Sequence, residues 1–110
     1  MQEGITLTGS YQNVDYPSDL GAPFAHGGQV VVHIKRTGGS SVTFQIEEYY
    51  NSDTGWIPFT EDDGTNIAAF ERTSTETAFS YAFSTSAEKV RVKVKGSGSV
   101  DVYITVGEII

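Results

Sequence analysis

The sequence predicts an all-β protein, an antiparallel, jelly-roll-like β-sandwich with about eight strands, in a single domain over residues 1–110. Apolar and polar residues alternate in several short runs rich in Val, Ile, Thr, Tyr and Phe. This alternation places the apolar side chains on one face of each strand. Clusters of Gly, Ser, Asn and Asp separate the runs, and no window combines the apolar spacing of a helix with a cap. Short strands at this spacing are typical of sandwiches and jelly rolls.

Each predicted strand is a β-favouring run that ends in turn residues. The predicted strands are residues 5–16, 29–36, 42–50, 56–60, 66–72, 77–84, 88–95 and 100–107. The predicted core is the apolar side of these strands, namely Val32, Ile34, Phe44, Ile46, Phe79, Tyr81, Phe83, Val92, Val94, Val102 and Ile104. The longest irregular stretch, residues 16–28, contains two prolines and three glycines, and loops of this length in compact domains are often functional.

The last two strands are predicted to form a hairpin across the turn at residues 96–98. A register that places Val94 opposite Val102 also places Lys95 opposite Asp101 and Lys93 opposite Tyr103. Apolar partners and a charge pair therefore agree on one alignment.

A second hairpin is predicted across residues 37–39, where a late glycine suits a turn that closes in a bulge. It places Ile34 opposite Val42 and Val32 opposite Phe44. His33 then lies on the outward face, opposite Thr43.

Composition excludes several classes of function. Fourteen acidic and seven basic residues give a net charge of −7, which argues against sequence-independent binding to nucleic acid. There is no cysteine, so neither disulfides nor thiolate chemistry is available. No apolar run approaches the length of a membrane span. The first residues lack the basic and apolar regions of a signal peptide, so we expect a protein made in the cytoplasm and no membrane partner.

The sequence predicts no enzymatic activity and no cofactor. His26 and His33 are the only histidines, and a catalytic triad needs a nucleophile and an orienting acid around one of them. No Gly-x-Ser-x-Gly or His-Glu-x-x-His motif occurs. Glu47 and Glu48 are adjacent, so they face opposite sides of a strand and do not form a glycosidase pair. We expect both to lie at a strand end near water; the alternative is that one of them is buried against a basic residue.

The acidic turn at residues 61–66 offers Asp62, Asp63 and Asn66 as candidate Ca²⁺ ligands. Hard oxygen ligands on a loop that contains glycine are suited to this ion. The spacing of an EF-hand is missing, however, and Asp, Asn and Gly are also ordinary turn formers. We therefore expect a solvated turn and no metal site.

Two features are candidates for binding. Tyr49, Tyr50 and Trp56 flank a turn, and aromatic side chains at the edge of a sandwich can stack on sugar rings. We favour the alternative, in which Trp56 closes one end of the core and the tyrosines lie at the edge of the sheet. Arg91, Lys93 and Lys95 form an organised basic stripe on an acidic protein, and such a stripe can dock onto an acidic partner. The alternative is a solvated strand face that Asp101 partly neutralises.

Residues 42–59, VTFQIEEYYNSDTGWIPF, resemble a segment common in small virion proteins of tailed bacteriophages. In that segment a Val-x-Phe-x-Val-Glu strand leads through an Asp- and Gly-containing turn into a strand that begins with Trp. Residues 89–102, KVRVKVKGSGSVDV, resemble the closing hairpin of the same proteins. The two segments cover about a third of the chain, and related patterns occur in sugar-binding sandwich domains. This chain has Tyr49-Tyr50 where the commoner pattern has Ser or Asp.

The resemblance implies a structural virion component, a capsid auxiliary or decoration protein with no catalytic residues to carry over. The expected partner is then the major capsid protein or another virion subunit, with a homo-oligomer, such as a trimer, as a further expectation. The expected contact residues are Leu20, Ala22, Pro23, Phe24, Arg91, Lys93 and Lys95. The alternative is a carbohydrate-binding module with a head-fibre, tail or adhesion role that uses Trp56, Tyr49 and Tyr50.

Overall fold

The structure, a computed structural model, describes residues 2–14, 28–62, 64–87 and 89–107. Eleven strands and no helix occur within these ranges. The strands are β1 (Gln2–Thr6), β2 (Gln12–Asn13), β3 (Gly28–Gly38), β4 (Val42–Tyr49), β5 (Trp56–Pro58), β6 (Thr60–Asp62), β7 (Ile67–Ala69), β8 (Arg72–Ser74), β9 (Ala78–Thr85), β10 (Lys89–Gly96) and β11 (Ser99–Gly107).

The strands form two antiparallel sheets with a shared core. Sheet I has the order β1-β11-β3-β9, and sheet II has the order β2-β10-β4-β5, with β8 also paired to β4. Strands β6 and β7 make a separate two-stranded ribbon. The chain passes repeatedly from one sheet to the other, so that late strands lie between early ones in both sheets. This order is that of a jelly roll, and the predicted fold class is confirmed.

Three of the eight predicted strands are divided in the structure, which accounts for the eleven observed. The predicted strand 5–16 becomes β1 and β2, because the chain crosses from sheet I to sheet II between them. The region 56–60 contains β5 and the start of β6. The region 66–72 contains β7 and the start of β8, which are separated by the buried Phe70.

Both predicted hairpins are wrong. Val94 lies opposite Phe44, not opposite Val102, which pairs with Ile34. Val42 pairs with Gly96. The turns at residues 37–39 and 96–98 join strands of different sheets. The apolar faces of the two joined strands are then on opposite sides of the core and pack against each other. An alternating pattern determines the face on which a side chain lies but leaves its partner strand open.

Because the two hairpins are wrong, several residue pairs predicted from them are wrong as well. His33 does face outward, but it lies opposite Tyr103 and Ser80 and not opposite Thr43. Lys95 lies opposite Thr43, and Lys93 lies opposite Gln45. The segment that resembles a closing hairpin is therefore two strands in two sheets.

The two turns that carry the chain between the sheets touch each other through their backbones. An added Cβ at Gly39 would lie 2.0 Å from the Ser97 carbonyl oxygen, and one at Gly98 would lie 2.1 Å from that of Gly38. Both glycines also have positive φ, 82° and 92°. Only glycine combines this backbone conformation with such a close approach.

The core lies between the sheets and is made of the predicted apolar faces. Of the predicted core residues, eight are buried, and Phe79, Tyr81 and Ile104 are partly buried against them. An aromatic cluster closes one side of the sandwich. Its ring centroids lie 5.4 Å apart for Phe44 and Phe70 and 4.7 Å apart for Phe70 and Tyr81. Buried core residues outside the prediction are Ile5, Leu7, Val14, Val30, Val42, Phe70, Ala87, Val90 and Val100.

Candidate functional site

The outer face of sheet II brings together the two binding features found in the sequence. The pairing of β4 with β10 places Lys89 opposite Tyr49, Arg91 opposite Glu47 and Lys93 opposite Gln45. Residues of one parity on these strands are buried, so those of the other parity form the outer face. Cations from β10 therefore lie beside aromatic and polar groups from neighbouring strands.

One half of this face is built around Trp56, the register partner of Tyr49. The Tyr49 and Trp56 ring centroids are 5.5 Å apart with an interplanar angle of 54°. Lys89 Nζ lies 4.9 Å from the Tyr49 centroid, and Arg91 Cζ lies 4.3 Å from that of Trp56. Arg91 Nε also donates a hydrogen bond of 2.7 Å to Glu47 Oε1. Each cation thus rests on an aromatic ring, an attraction that partial desolvation strengthens.

The other half is built around Tyr11. Lys95 Nζ lies 4.7 Å and Lys93 Nζ 5.5 Å from the Tyr11 ring centroid. The Tyr11 hydroxyl donates a hydrogen bond to Glu71 Oε2, which also accepts one of 3.4 Å from Gln45 Nε2. Burial, together with the hydrogen bond and negative charge of Glu71, raises the pKa of Tyr11 well above its ordinary value of 10.0. The ring therefore stays neutral and supports the two lysines.

We call the set Tyr11, Tyr49, Trp56, Lys89, Arg91, Lys93 and Lys95 the cation–aromatic row. Four of the seven basic residues of the chain belong to it. Among the described residues, Arg91 has a carboxylate within ion-pair distance, at Glu47, whereas the three lysines have none. The row is therefore a surface of net positive charge on a protein whose net charge is −7.

Of the three aromatic residues predicted as a surface for stacking on sugars, Tyr49, Tyr50 and Trp56, only two lie together. Tyr49 and Trp56 are in contact on the outer face, so the expectation that Trp56 closes the core is wrong. Tyr50 follows β4, and its hydroxyl donates a hydrogen bond of 3.3 Å to Oε2 of the buried Glu48, away from that face. The Tyr49 and Trp56 rings are tilted and not coplanar, and the Arg91 guanidinium covers one face of Trp56.

Glu47 and Glu48 are not at a solvated strand end, so this expectation is wrong. Glu48 is 8% exposed and accepts a hydrogen bond from the Thr85 hydroxyl. Thr85 Oγ1 also accepts one of 3.0 Å from the Ala87 backbone N–H. Glu47 is shielded by its pairing with Arg91. A buried carboxylate such as Glu48 needs such partners, and Thr85 comes from β9, far away in the sequence. The partner of Glu47 on the outer face, Arg91, comes from β10.

The acidic turn has the geometry of a turn where it is described. Asp62 Oδ1 accepts a hydrogen bond of 2.8 Å from the Gly64 backbone N–H, which is an Asx turn. Asp63 lies outside the described residues, so its part in a candidate site with Asp62 and Asn66 stays a prediction. No group of three or more potential metal-ligating His, Cys, Asp or Glu side chains occurs in the parts of the chain that the structure describes.

His33 lies on the outer face of sheet I between two hydroxyl groups. Its Nδ1 is 2.8 Å from Ser80 Oγ, and its Nε2 is 3.3 Å from Thr105 Oγ1. Both ring nitrogens are thus engaged with hydroxyls rather than with an orienting carboxylate. His26 lies outside the described residues.

The expected contact residues fall into two groups. Arg91, Lys93 and Lys95 share one face, as predicted. Leu20, Ala22, Pro23 and Phe24 lie outside the described residues, so their position relative to that face stays a prediction. Sequence reasoning missed Tyr11, Lys89 and Glu71. The parity of β10 indicated Lys89, whereas Tyr11 and Glu71 reach the face from positions directly before β2 and β8, whose placement the sequence did not reveal.

No family model, no curated protein and no solved structure matches this chain. In the residues described, the structure contains no helix long and apolar enough to cross a membrane.

Proposed function

We propose that this protein is a non-enzymatic structural component of a tailed-phage virion that decorates or stabilises the capsid, and that it docks through the cation–aromatic row. The observation that carries the proposal is the concentration of four of the seven basic residues on one outer face of an acidic jelly roll. The resemblance of residues 42–59 and 89–102 to phage virion sandwiches supports the choice of partner.

The geometry of the row suits docking onto an acidic protein surface. The side chains of Lys93 and Lys95 are held on the Tyr11 ring, so less side-chain freedom is lost when a partner carboxylate binds. Charge complementarity of this kind sets orientation and association rate. A ligand that binds only the assembled shell also stabilises that shell by mass action.

The test is co-sedimentation of the labelled protein with capsids of the phage that encodes it, over a range of salt concentrations. We expect Lys93→Glu to weaken binding by about tenfold, which is about 1.4 kcal/mol. We also expect salt to weaken binding by the parent protein, since salt screens exposed charges.

The matched control is Lys35→Glu, which makes the same change of charge on the exposed outer face of sheet I. It should bind like the parent. Equal losses for the two variants would show that net charge matters and not the row. Absence of the protein from purified particles would refute the virion role.

A carbohydrate-binding module is the second candidate, and the contact between Tyr49 and Trp56 on an outer face favours it. Arg91 and Glu47 lie beside this pair and supply hydrogen-bonding groups suited to sugar hydroxyls or carboxylates. The Arg91 side chain would have to leave one face of Trp56, or the sugar would have to stack on Tyr49.

Titration of tryptophan fluorescence with neutral and acidic oligosaccharides tests this candidate. If it is correct, calorimetric titration, which does not depend on the single tryptophan of the chain, shows that Trp56→Ala abolishes binding, and circular dichroism shows that this variant keeps the fold. Tyr50→Ala binds normally, because Tyr50 follows β4 and its hydroxyl contacts the buried Glu48, away from the outer face. An unchanged emission spectrum with every sugar would remove the candidate.

A further inference from the structure

The edges of the two sheets are protected to very different degrees. An exposed strand edge offers unpaired backbone groups, and proteins usually blunt it with short strands, bulges, proline or charge. In the described residues, β2 has two residues, and β5 has three, including Pro58. Strand β1 has an irregular register between Gln2 and Ile5, and its Gly4 N–H donates to Asp101 Oδ1 at 2.8 Å.

Strand β9 has none of these protections. It is the edge of sheet I, pairs with β3 on one side and runs without a register shift for eight residues, Ala78–Thr85. Its sequence AFSYAFST contains no charge, no proline and no glycine, in a chain of net charge −7. Its outward side chains are small and exposed: Ala78, Ser80, Ala82 and Ser84. No strand in the described residues pairs with its other side.

We propose that β9 is a homodimer interface, at which two copies pair their β9 strands antiparallel about a two-fold axis at Tyr81. The partner is a second copy because the strand is complementary to itself. With Tyr81 opposite its symmetry mate, Phe79 lies opposite Phe83 on the core side. On the outer side, Ser80 lies opposite Ala82, and Ala78 lies opposite Ser84.

The pairing extends features that each copy already has. The core-side pairs join the aromatic edges of two cores, where Phe79 and Tyr81 are only partly buried in one copy. The outer pairs bring small side chains together with no charge to desolvate. Two four-stranded sheets become one sheet of eight strands. Because the contact is isologous, each copy uses its β9 edge once and assembly stops at the dimer. This inference does not depend on the proposed virion role.

Light scattering after size-exclusion chromatography tests the proposal across a range of protein concentrations. We expect a mass that rises with concentration toward twice the 11.9 kDa of one chain. The double variant Ser80→Lys/Ala82→Lys places lysines opposite lysines in the proposed register and should remain monomeric. The matched variant Ser80→Glu/Ala82→Lys changes the same positions but places opposite charges together, and it should dimerise again.

Both variants lose the same hydrogen bond between Ser80 and His33, so this loss cancels in their comparison. A thermal melt of each establishes that it is folded. Hydrogen exchange of the parent gives an independent readout. Thr77 accepts a backbone hydrogen bond from Arg36 of β3, so by alternation the amides of Ser80 and Ala82 point away from β3 and should become more protected as the concentration rises. The proposal is overturned by a parent that stays monomeric, by a trimer, by dimers of the Lys/Lys variant, or by protection of β9 that does not depend on concentration.

Discussion

Replacement of Gly98 by alanine tests the close contact between the two turns that join the sheets. The new Cβ would lie 2.1 Å, 2.2 Å and 2.5 Å from backbone atoms of Gly38 and Gly39. Backbone atoms cannot rotate aside as a side-chain end can, so one turn must move. The Gly98 carbonyl oxygen accepts a hydrogen bond of 2.8 Å from Leu7 N–H, and displacement of the turn would break this hydrogen bond first.

The cost has two parts. A positive φ strains an alanine by about 1–2 kcal/mol. Displacement of the turn adds the loss of one or more backbone hydrogen bonds, at about 1 kcal/mol each, together with loosened packing beneath. We therefore expect Gly98→Ala to lower the free energy of unfolding by about 3 kcal/mol or more, a large loss for a single substitution.

Gly64→Ala is the matched control, measured in the same urea or guanidinium titrations. Gly64 has a φ of 89°, close to the 92° of Gly98, but nothing lies within 4 Å of its added Cβ. The cost of Gly64→Ala in free energy of unfolding is therefore the backbone strain alone. If the two variants lose the same free energy within about 0.5 kcal/mol, a surface-like difference, the contact between the turns contributes nothing and the argument from packing is refuted.

Two further predictions concern the core and the tyrosine of the cation–aromatic row. Phe44→Ala should lower the free energy of unfolding by about 3–5 kcal/mol, because the ring is 2% exposed. The control Ile67→Ala, at a site 72% exposed, should change this free energy little. Equal effects of the two substitutions in denaturant titrations would contradict the prediction. The raised pKa of Tyr11 means that this group stabilises the fold below pH 10, its ordinary pKa, and that this contribution disappears as the pH rises through the raised value. Glu71→Gln should lower the pKa of Tyr11 in an alkaline titration of tyrosinate absorbance, and identical titration curves would contradict the assigned cause.

The faces of the strands could be predicted from the sequence, but their partners could not. Val90, Val92 and Val94 are buried as their alternation indicates. The choice of hairpins failed because short turns of Gly and Ser suit a hairpin and a crossing between sheets equally well. Charge pairing between β10 and β4, with Arg91 opposite Glu47, was the signal in the sequence that favoured the correct pairing.

The candidate site was recognised as two separate features because its parts are distant along the chain. Trp56 and Arg91 were each selected from local sequence, yet their contact depends on β4, which lies between their strands. Tyr50 was grouped with Tyr49 because the predicted strand ran to residue 50, although adjacent residues of such a strand would face opposite sides; the observed strand ends at Tyr49. The buried position of Glu48 depends on Thr85, a residue 37 positions away, and nothing in the local pattern reveals it.

The strand order has a consequence for the synthesis of the protein on the ribosome. Strand β11 lies between β1 and β3, and β10 lies between β2 and β4. Among the described strands, β1 and β2 therefore have no sheet neighbour until residues 89–107 have been translated. Such non-local pairing makes folding slow, and unpaired edges promote aggregation. The nascent chain completes neither sheet before its final strands leave the exit tunnel, so we expect chaperone binding to the growing chain to persist until then.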